Sequence, residues 1–261
     1  MLSIQSEGNK MNNEIIYDCR WSNKVDEKFI EDFIAVEDNV FKNNYSKELF
    51  TQKYINNIYG ESVVEVVYID GIPSAARGLW RNDIEGKEAY QPGDTCVTEA
   101  CRGKGVFTEM TKRSIALLPE NALIYNFPNQ NSFPGYMKMG WHLVKEYGFA
   151  LFNKKKYFKE HPVKMDEVYA KWWLPTTIGL LYFKNGNDYF LVRKMNKPFC
   201  YKLVAQVDEE VAKQFPKKSM GVVFYRSEEK NFYNAKLGLP IHVVSKSNDI
   251  NYIPVWKIDA L

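Results

Sequence analysis

The chain has 261 residues, 45% of them hydrophobic and 26% charged, with a formal net charge of +3. That balance excludes intrinsic disorder, collagen and long coiled coil, and it leaves one large domain or two modest ones. Charges of both signs are interspersed, and no apolar run approaches the roughly 18 to 20 residues that span a bilayer, so the expectation is a cytoplasmic chain with no nucleic-acid or membrane partner.

Residues 1–13 are polar and lack periodicity, which reads as a flexible leader. Residues 14–20 read as a first strand. From 25 to 41 the pairs Phe29/Ile30, Phe33/Ile34 and Val40/Phe41 recur at helical spacing, with Asn23 as a cap. Ser46 caps a second helix whose apolar face is Leu49, Phe50, Tyr54 and Ile58, ending at Gly60. A valine-rich strand at 62–69, the turn signal Asp70-Gly71 and a return strand at 72–81 make a β-hairpin. A further strand at 88–97 runs into Cys101-Arg102-Gly103-Lys104-Gly105, and behind it Phe107, Met110, Ser114 and Leu117 fall on one helical face. A short strand at 122–127, one or two helical turns at 132–139 closed by Gly140, and a strand at 142–152 follow.

Lys154, Lys155, Lys156 and Lys159 read as a solvated linker that marks a domain boundary, and Trp172-Trp173-Leu174-Pro175 as a packing joint. The remainder reads as strand-rich: a hairpin across Asn185-Gly186, a short helix at 208–215, and strands at 220–226, 240–245 and 253–258. The expected domains are therefore 14–153 and a smaller one at 165–261, which lacks a second glycine loop and shapes an acceptor site or an interface.

The four cysteines and three histidines (His142, His161, His242) show no metal-ligand spacing, so reduced thiols and no metal are expected. The segment that carries chemistry is 97–106. A strand that delivers Gly103 and Gly105 to a helix start leaves backbone amides and the positive end of the helix free for phosphate oxygens, and Arg102 and Lys104 add charge. A nucleotide P-loop needs Gly, four residues, then Gly-Lys-Ser/Thr, and Lys104-Gly105-Val106 does not supply the metal-binding hydroxyl; a dinucleotide fingerprint needs Gly or Ala at the position of Thr108.

A second motif follows one helix and one strand later: Asn129-Gln130-Asn131-Ser132, then Tyr136-Met137-Lys138-Met139-Gly140-Trp141. The two motifs, in this order and at this separation, resemble those of the GNAT superfamily of acetyl-CoA-dependent N-acetyltransferases, over residues 14–152. The resemblance implies an α+β fold: a mixed, mostly antiparallel twisted sheet flanked by helices, with a second, smaller strand-rich domain of the kind that in some members is a degenerate copy of the first. It implies that the amides of Arg102, Gly103, Lys104, Gly105, Val106 and Phe107 hold the pyrophosphate of acetyl-CoA. Val97 would pair with the pantetheine arm and polarise the thioester, Asn129 would bind the pantetheine, and Tyr136 would protonate the leaving thiolate. Two positions depart from the family pattern: Phe107 stands where Gly or Ala is usual, and Glu99 where Pro is usual.

A general base should sit on or beside the central strands, which makes Asp94, Glu99 and Glu65 the candidates. Cys96 and Cys101 flank the loop, but no histidine is placed to activate either. The implied activity is direct transfer of acetyl from acetyl-CoA to the primary amine of a small acceptor, with an amino sugar as the guess, by a monomer or homodimer. Transfer of an aminoacyl or longer acyl group, or a CoA-responsive binding module without turnover, are the alternatives.

Overall fold

The structure, a computed structural model, describes residues 14–228, 237–248, 250 and 252–259. The expected leader at 1–13 lies outside the described residues. Contacts divide the chain into two compact units: residues up to Arg81 together with Gln91–Glu120, and Asn82–Tyr90 together with the residues from Asn121 onward.

The first unit holds β1 (Ile15–Trp21), α1 (Glu27–Phe41), a short α2 (Lys47–Phe50) that runs into a π-helical turn (Thr51–Ile55), β2 (Val63–Ile69), β3 (Ile72–Arg81), the greater part of β4 (Ala89–Val97) and α3 (Val106–Ala116). Its strands lie in the order β1-β2-β3-β4, with β1, β2 and β3 antiparallel. The hairpin reverses on Asp70 (φ 50°) and Gly71 (φ 78°), both left-handed as a two-residue turn of matching twist requires. Val63, Val64, Val66 and Val67 are all fully buried, which is why β2 reads as a continuous valine run and not as an alternation. Helices cover both faces: Arg77 of β3 reaches Thr111 of α3, while a side chain at the next residue, Gly78, would point at Tyr54.

Helix α1 begins later than its periodicity suggests. Ser22–Lys24 forms a 3-10 turn, so the cap is Asp26, whose carboxylate accepts the Phe29 N–H at 2.8 Å, and not Asn23. Ser46 does cap α2, accepting from Leu49 at 3.1 Å. The predicted single helix is broken beyond Phe50 by the π turn, which leaves Ile58 exposed.

The second unit holds β5 (Leu123–Asn126), α4 (Phe133–Lys138), β6 (His142–Leu151), α5 (Lys154–Glu160), α6 (Glu167–Trp173), β7 (Leu180–Asn185), β8 (Asp188–Lys194), β9 (Cys200–Val207), α7 (Glu209–Ala212), β10 (Val222–Ser227), β11 (Ile241–Ser245) and α8 (Trp256–Asp259). Its strand order is β5-β11-β6-β10-β9-β8-β7. The pairings are antiparallel except for β9 with β10, and the first residues of β4 lie parallel to β5. The late strand β11 is thus inserted between β5 and β6.

Two expectations are corrected in this unit, and one strand is added. The lysine run is helix α5: Asn153 caps it, and Tyr157, buried against Phe152, Phe190 and Tyr225, anchors it while the lysines face outward. Residues 253–258 are not a strand, because the chain turns into α8 at Trp256. Strand β9, unanticipated, alternates buried Tyr201 and Leu203 with half-buried neighbours and then buries Val204, Ala205 and Val207.

Candidate functional site

Strand β4 carries the site. It meets β5 only through Ala89↔Leu123 and Tyr90↔Ile124, so among the described residues Pro92–Val97 pairs with no strand on the side away from β3 and leaves a free edge there. Part of that edge is accessible: Gly93, Asp94, Thr95 and Val97 are half-buried, whereas Val63–Val67 of β2 and the middle of β3 are buried. A free strand edge presents main-chain donors and acceptors at regular spacing to any extended ligand.

The strand bends at Asp94, which adopts φ 45°, a conformation that costs a non-glycine residue free energy unless contacts impose it. Here they do. The Asp94 carboxylate forms an ion pair with Lys53 Nζ at 2.8 Å and accepts the hydroxyls of Tyr54 at 2.7 Å and Tyr45 at 2.8 Å. Burial alone would raise its pKa, but Lys53 and the two hydroxyls outweigh burial and hold the carboxyl below the usual carboxylate range. Asp94 is therefore an ionised tether of the bend. Lys53 is further enclosed by the Trp80 ring, 5.0 Å from its centroid.

Glu37 of α1 belongs to the same pocket and escaped sequence reasoning. It is buried, its Oε2 has no hydrogen-bond partner among the described residues, and burial followed by the charge of Asp94 pushes its pKa up to about 8. The signal was available: Glu37 falls four residues after Phe33 and eight after Phe29, on the buried stripe.

At the end of β4 the carbonyl of Ser74 fastens the departing chain, accepting from the Thr98 N–H at 3.0 Å, the Thr98 hydroxyl at 2.7 Å and the Cys101 thiol at 3.5 Å. Glu99–Cys101 makes a 3-10 turn in which the Glu99 side chain is exposed and only loosely paired with Arg102, at 3.5 Å. The loop then takes positive φ at Gly103 (73°) and Gly105 (75°). A Cβ at either glycine would meet nothing within 4 Å, so glycine is needed there for conformation and for approach from outside, not for internal space. The amides of Gly103, Gly105 and Val106 donate to no acceptor among the described residues, and they stand at the positive end of the three-turn helix α3. With Arg102 and Lys104 exposed beside them, they form an anion-binding corner.

Phe107 does not crowd this corner. Its half-buried ring rests on the guanidinium of fully buried Arg77, 4.7 Å away, and its carbonyl accepts the Thr111 hydroxyl at 2.7 Å. On the same face of the sheet Glu65 is buried, accepts from the Ser114 hydroxyl at 2.6 Å, and has its pKa raised to about 7 by burial. Cys96 and Cys101 are both buried, and burial pushes both thiols up, so neither supplies a thiolate at neutral pH.

The second motif lies in the second unit. Asn129 Oδ1 accepts the amides of Asn131 and Ser132, each at 3.0 Å, and so organises the entry to α4. Pro134 occupies its first turn, and Gly140 (φ 77°) closes it. Tyr136 is buried, with its ring edge-on to Trp141 at 4.7 Å. Asp94, Val97, Glu99 and the loop are thus brought together in one unit, whereas Asn129 and Tyr136 belong to the other. The strand-to-helix step from β9 to α7 reads Val207-Asp208-Glu209-Glu210, whose acidic start repels phosphate. Among the described residues no three His, Cys, Asp or Glu side chains group to hold a metal, and no helix is long and apolar enough to cross a membrane.

No protein-family model matches the sequence, and no curated protein matches it. Solved structures do match. A Pyrococcus horikoshii protein with a provisional acetyltransferase assignment aligns over 97% of this chain and 94% of its own, with a TM-score of 0.54 at 12% identity. An Enterococcus faecalis protein provisionally described as an N-acyltransferase covers 89% of this chain and 72% of its own (TM-score 0.53, 11% identity). A GCN5-related N-acetyltransferase from Anabaena variabilis covers the same shares (TM-score 0.51, 10% identity). The chain carries their fold, the GNAT fold, over most of its length.

Proposed function

We propose that this chain, with its GNAT fold, is an N-acetyltransferase that moves an acetyl group from acetyl-CoA to the primary amine of a small acceptor. The observation that carries the reading is the free edge of β4 running directly into a glycine loop with undonated amides at the start of α3. Acetyl-CoA would supply an activated acetyl thioester. The amides of Gly103, Gly105 and Val106, with Arg102 and Lys104, hold its pyrophosphate, and Phe107 keeps its ring on Arg77 and out of the way. The main chain near Val97 pairs with the pantetheine and donates to the thioester oxygen, where negative charge develops.

In the transfer the amine nitrogen bonds to the acetyl carbon, the carbon–sulfur bond breaks, one proton leaves the nitrogen and one is given to the sulfur. Tyr136 is our choice for the second proton and Asn129 for a pantetheine contact, on the strength of the motif they share. Asp94, already ionised and held by three donors, keeps the bend of β4 in place; Glu99, exposed, is the carboxylate free to take a proton from the amine. The amino sugar, or its nucleotide conjugate, remains the acceptor class read from the sequence.

Thiol release from acetyl-CoA in the presence of amines tests the reading. Tyr136→Phe should lower kcat by about 10²-fold or more while acetyl-CoA binding is kept. Unchanged kcat removes Tyr136 from the acid role, and binding with no amine-dependent release marks a CoA-responsive binding module.

A further inference from the structure

A cleft of about 570 Å³ opens in the first unit between the end of α1, the start of β3 and the turn that follows β4. Its size is that of a small-molecule site. Val97, Glu99 and Arg102 line it, so it shares a wall with the segment that leads from the free strand edge into the glycine loop. It lies on the α1 face of the sheet, the face that also receives Asp94 and Tyr54, whereas α3 covers the opposite face.

The lining has a definite chemistry. Val40 and Ile72 supply apolar surface, and the exposed Ile72 is one of the larger uncovered side chains of this unit. Lys42 and Arg102 bring two positive charges against the single carboxylate of Glu99. Neither cation is consumed internally: Lys42 makes no ion pair among the described residues, and Arg102 has only the long contact to Glu99 at 3.5 Å. The Lys42 backbone is left-handed (φ 55°) at the C-terminus of α1, a position where glycine or asparagine costs less.

We infer that this cleft is the acceptor site and that the acceptor is a primary amine whose carbon framework, an aliphatic stem or a sugar ring, carries a carboxylate or a phosphate. The anion faces Lys42, Arg102 being taken by the pyrophosphate of the donor, the framework lies on Val40 and Ile72, and the amine is left toward Glu99 and the end of β4. The inference rests on the acetyl-transfer reading for its chemistry, but binding to the cleft can be measured without acetyl-CoA.

Two matched pairs of amines separate the sources of the anion: leucine against leucinamide, and glucosamine 6-phosphate against glucosamine. The charged member of at least one pair should be acetylated with a kcat/KM at least 10-fold higher, and Lys42→Glu should reduce that preference at least 10-fold. Lys42→Asn, which keeps the left-handed backbone accessible, should give an intermediate loss and guards against misfolding of the first variant. Equal use of charged and neutral members, or a preference untouched by both variants, overturns the inference.

If no amine is acetylated, binding decides. N-acetylleucine and glucosamine 6-phosphate, titrated without acetyl-CoA, should each be compared with leucinamide. Saturable binding of an anion that Lys42→Glu weakens at least 10-fold upholds the cleft even when the donor reading fails, and no such binding overturns it even when acetyl-CoA binds.

Discussion

Asp94 and Glu65 are two carboxyls on opposite faces of one sheet, the first half-buried and the second fully buried, and their environments drive them in opposite directions. Asp94 is kept ionised by Lys53 and two tyrosine hydroxyls. Removing its charge strands a buried lysine, so Asp94→Asn should destabilise the chain by about 3 kcal/mol or more in urea unfolding; a change below about 1 kcal/mol would show that the ion pair does not hold the bend. Glu65 accepts the Ser114 hydroxyl on Oε2 and nothing on Oε1 among the described residues. Burial raises its pKa to about 7, against the opposing pull of Ser114, Arg77 and Arg113.

A carboxyl whose folded pKa is raised favours the folded state fully below its unfolded pKa, and that contribution is lost as pH rises through the folded value. Between about pH 4.5 and 8 the wild type should therefore lose roughly 3 kcal/mol relative to Glu65→Gln. Urea unfolding of both proteins across that range gives the difference directly, and parallel stability curves would refute the assignment.

At the scale of elements, the packing of the π-helical turn on β3 depends on one missing side chain. A Cβ at Gly78 would lie 2.1 Å from the Tyr54 hydroxyl and 2.4 Å from two of its ring atoms, so no alanine fits without moving the ring. Gly78→Ala should cost about 2–3 kcal/mol and loosen the Tyr54 bond to Asp94; a neutral substitution would mean that the turn and β3 are not in firm contact. Local signals made several elements legible in the sequence. Asp70-Gly71 and Asn185-Gly186 marked hairpins because positive φ leaves few residue choices, and Ser46 marked a helix start because its hydroxyl satisfies an amide of the first turn. Elements decided by distant contacts were less legible. The lysine run is helical because Tyr157 finds Phe190 and Tyr225, and 256–259 is helical although its apolar run suits a strand equally well.

For the molecule as a whole, the glycine loop and the Tyr136 motif were readable since each is contiguous and each rests on residue types with narrow conformational roles. What contiguous reading could not reach was assembly across the sequence. Nothing near residue 241 announces that β11 lies between β5 and β6, and nothing near Glu37 or Lys53 announces that both converge on Asp94. The cleft proposed for the acceptor is of the same kind, built from three segments that are far apart in the chain.

The central claim is that the free edge of β4 and the loop after it bind acetyl-CoA. Its most direct test is the thermal midpoint with and without acetyl-CoA, in the wild type and in Gly105→Trp. Ligand at about 100 times its Kd adds roughly 2.7 kcal/mol, which for a chain of this size raises the midpoint by about 5–10 °C. We predict that rise in the wild type and its loss in Gly105→Trp, where a side chain would fill the approach to the amides. No rise in the wild type, or an equal rise in the variant, would contradict the account.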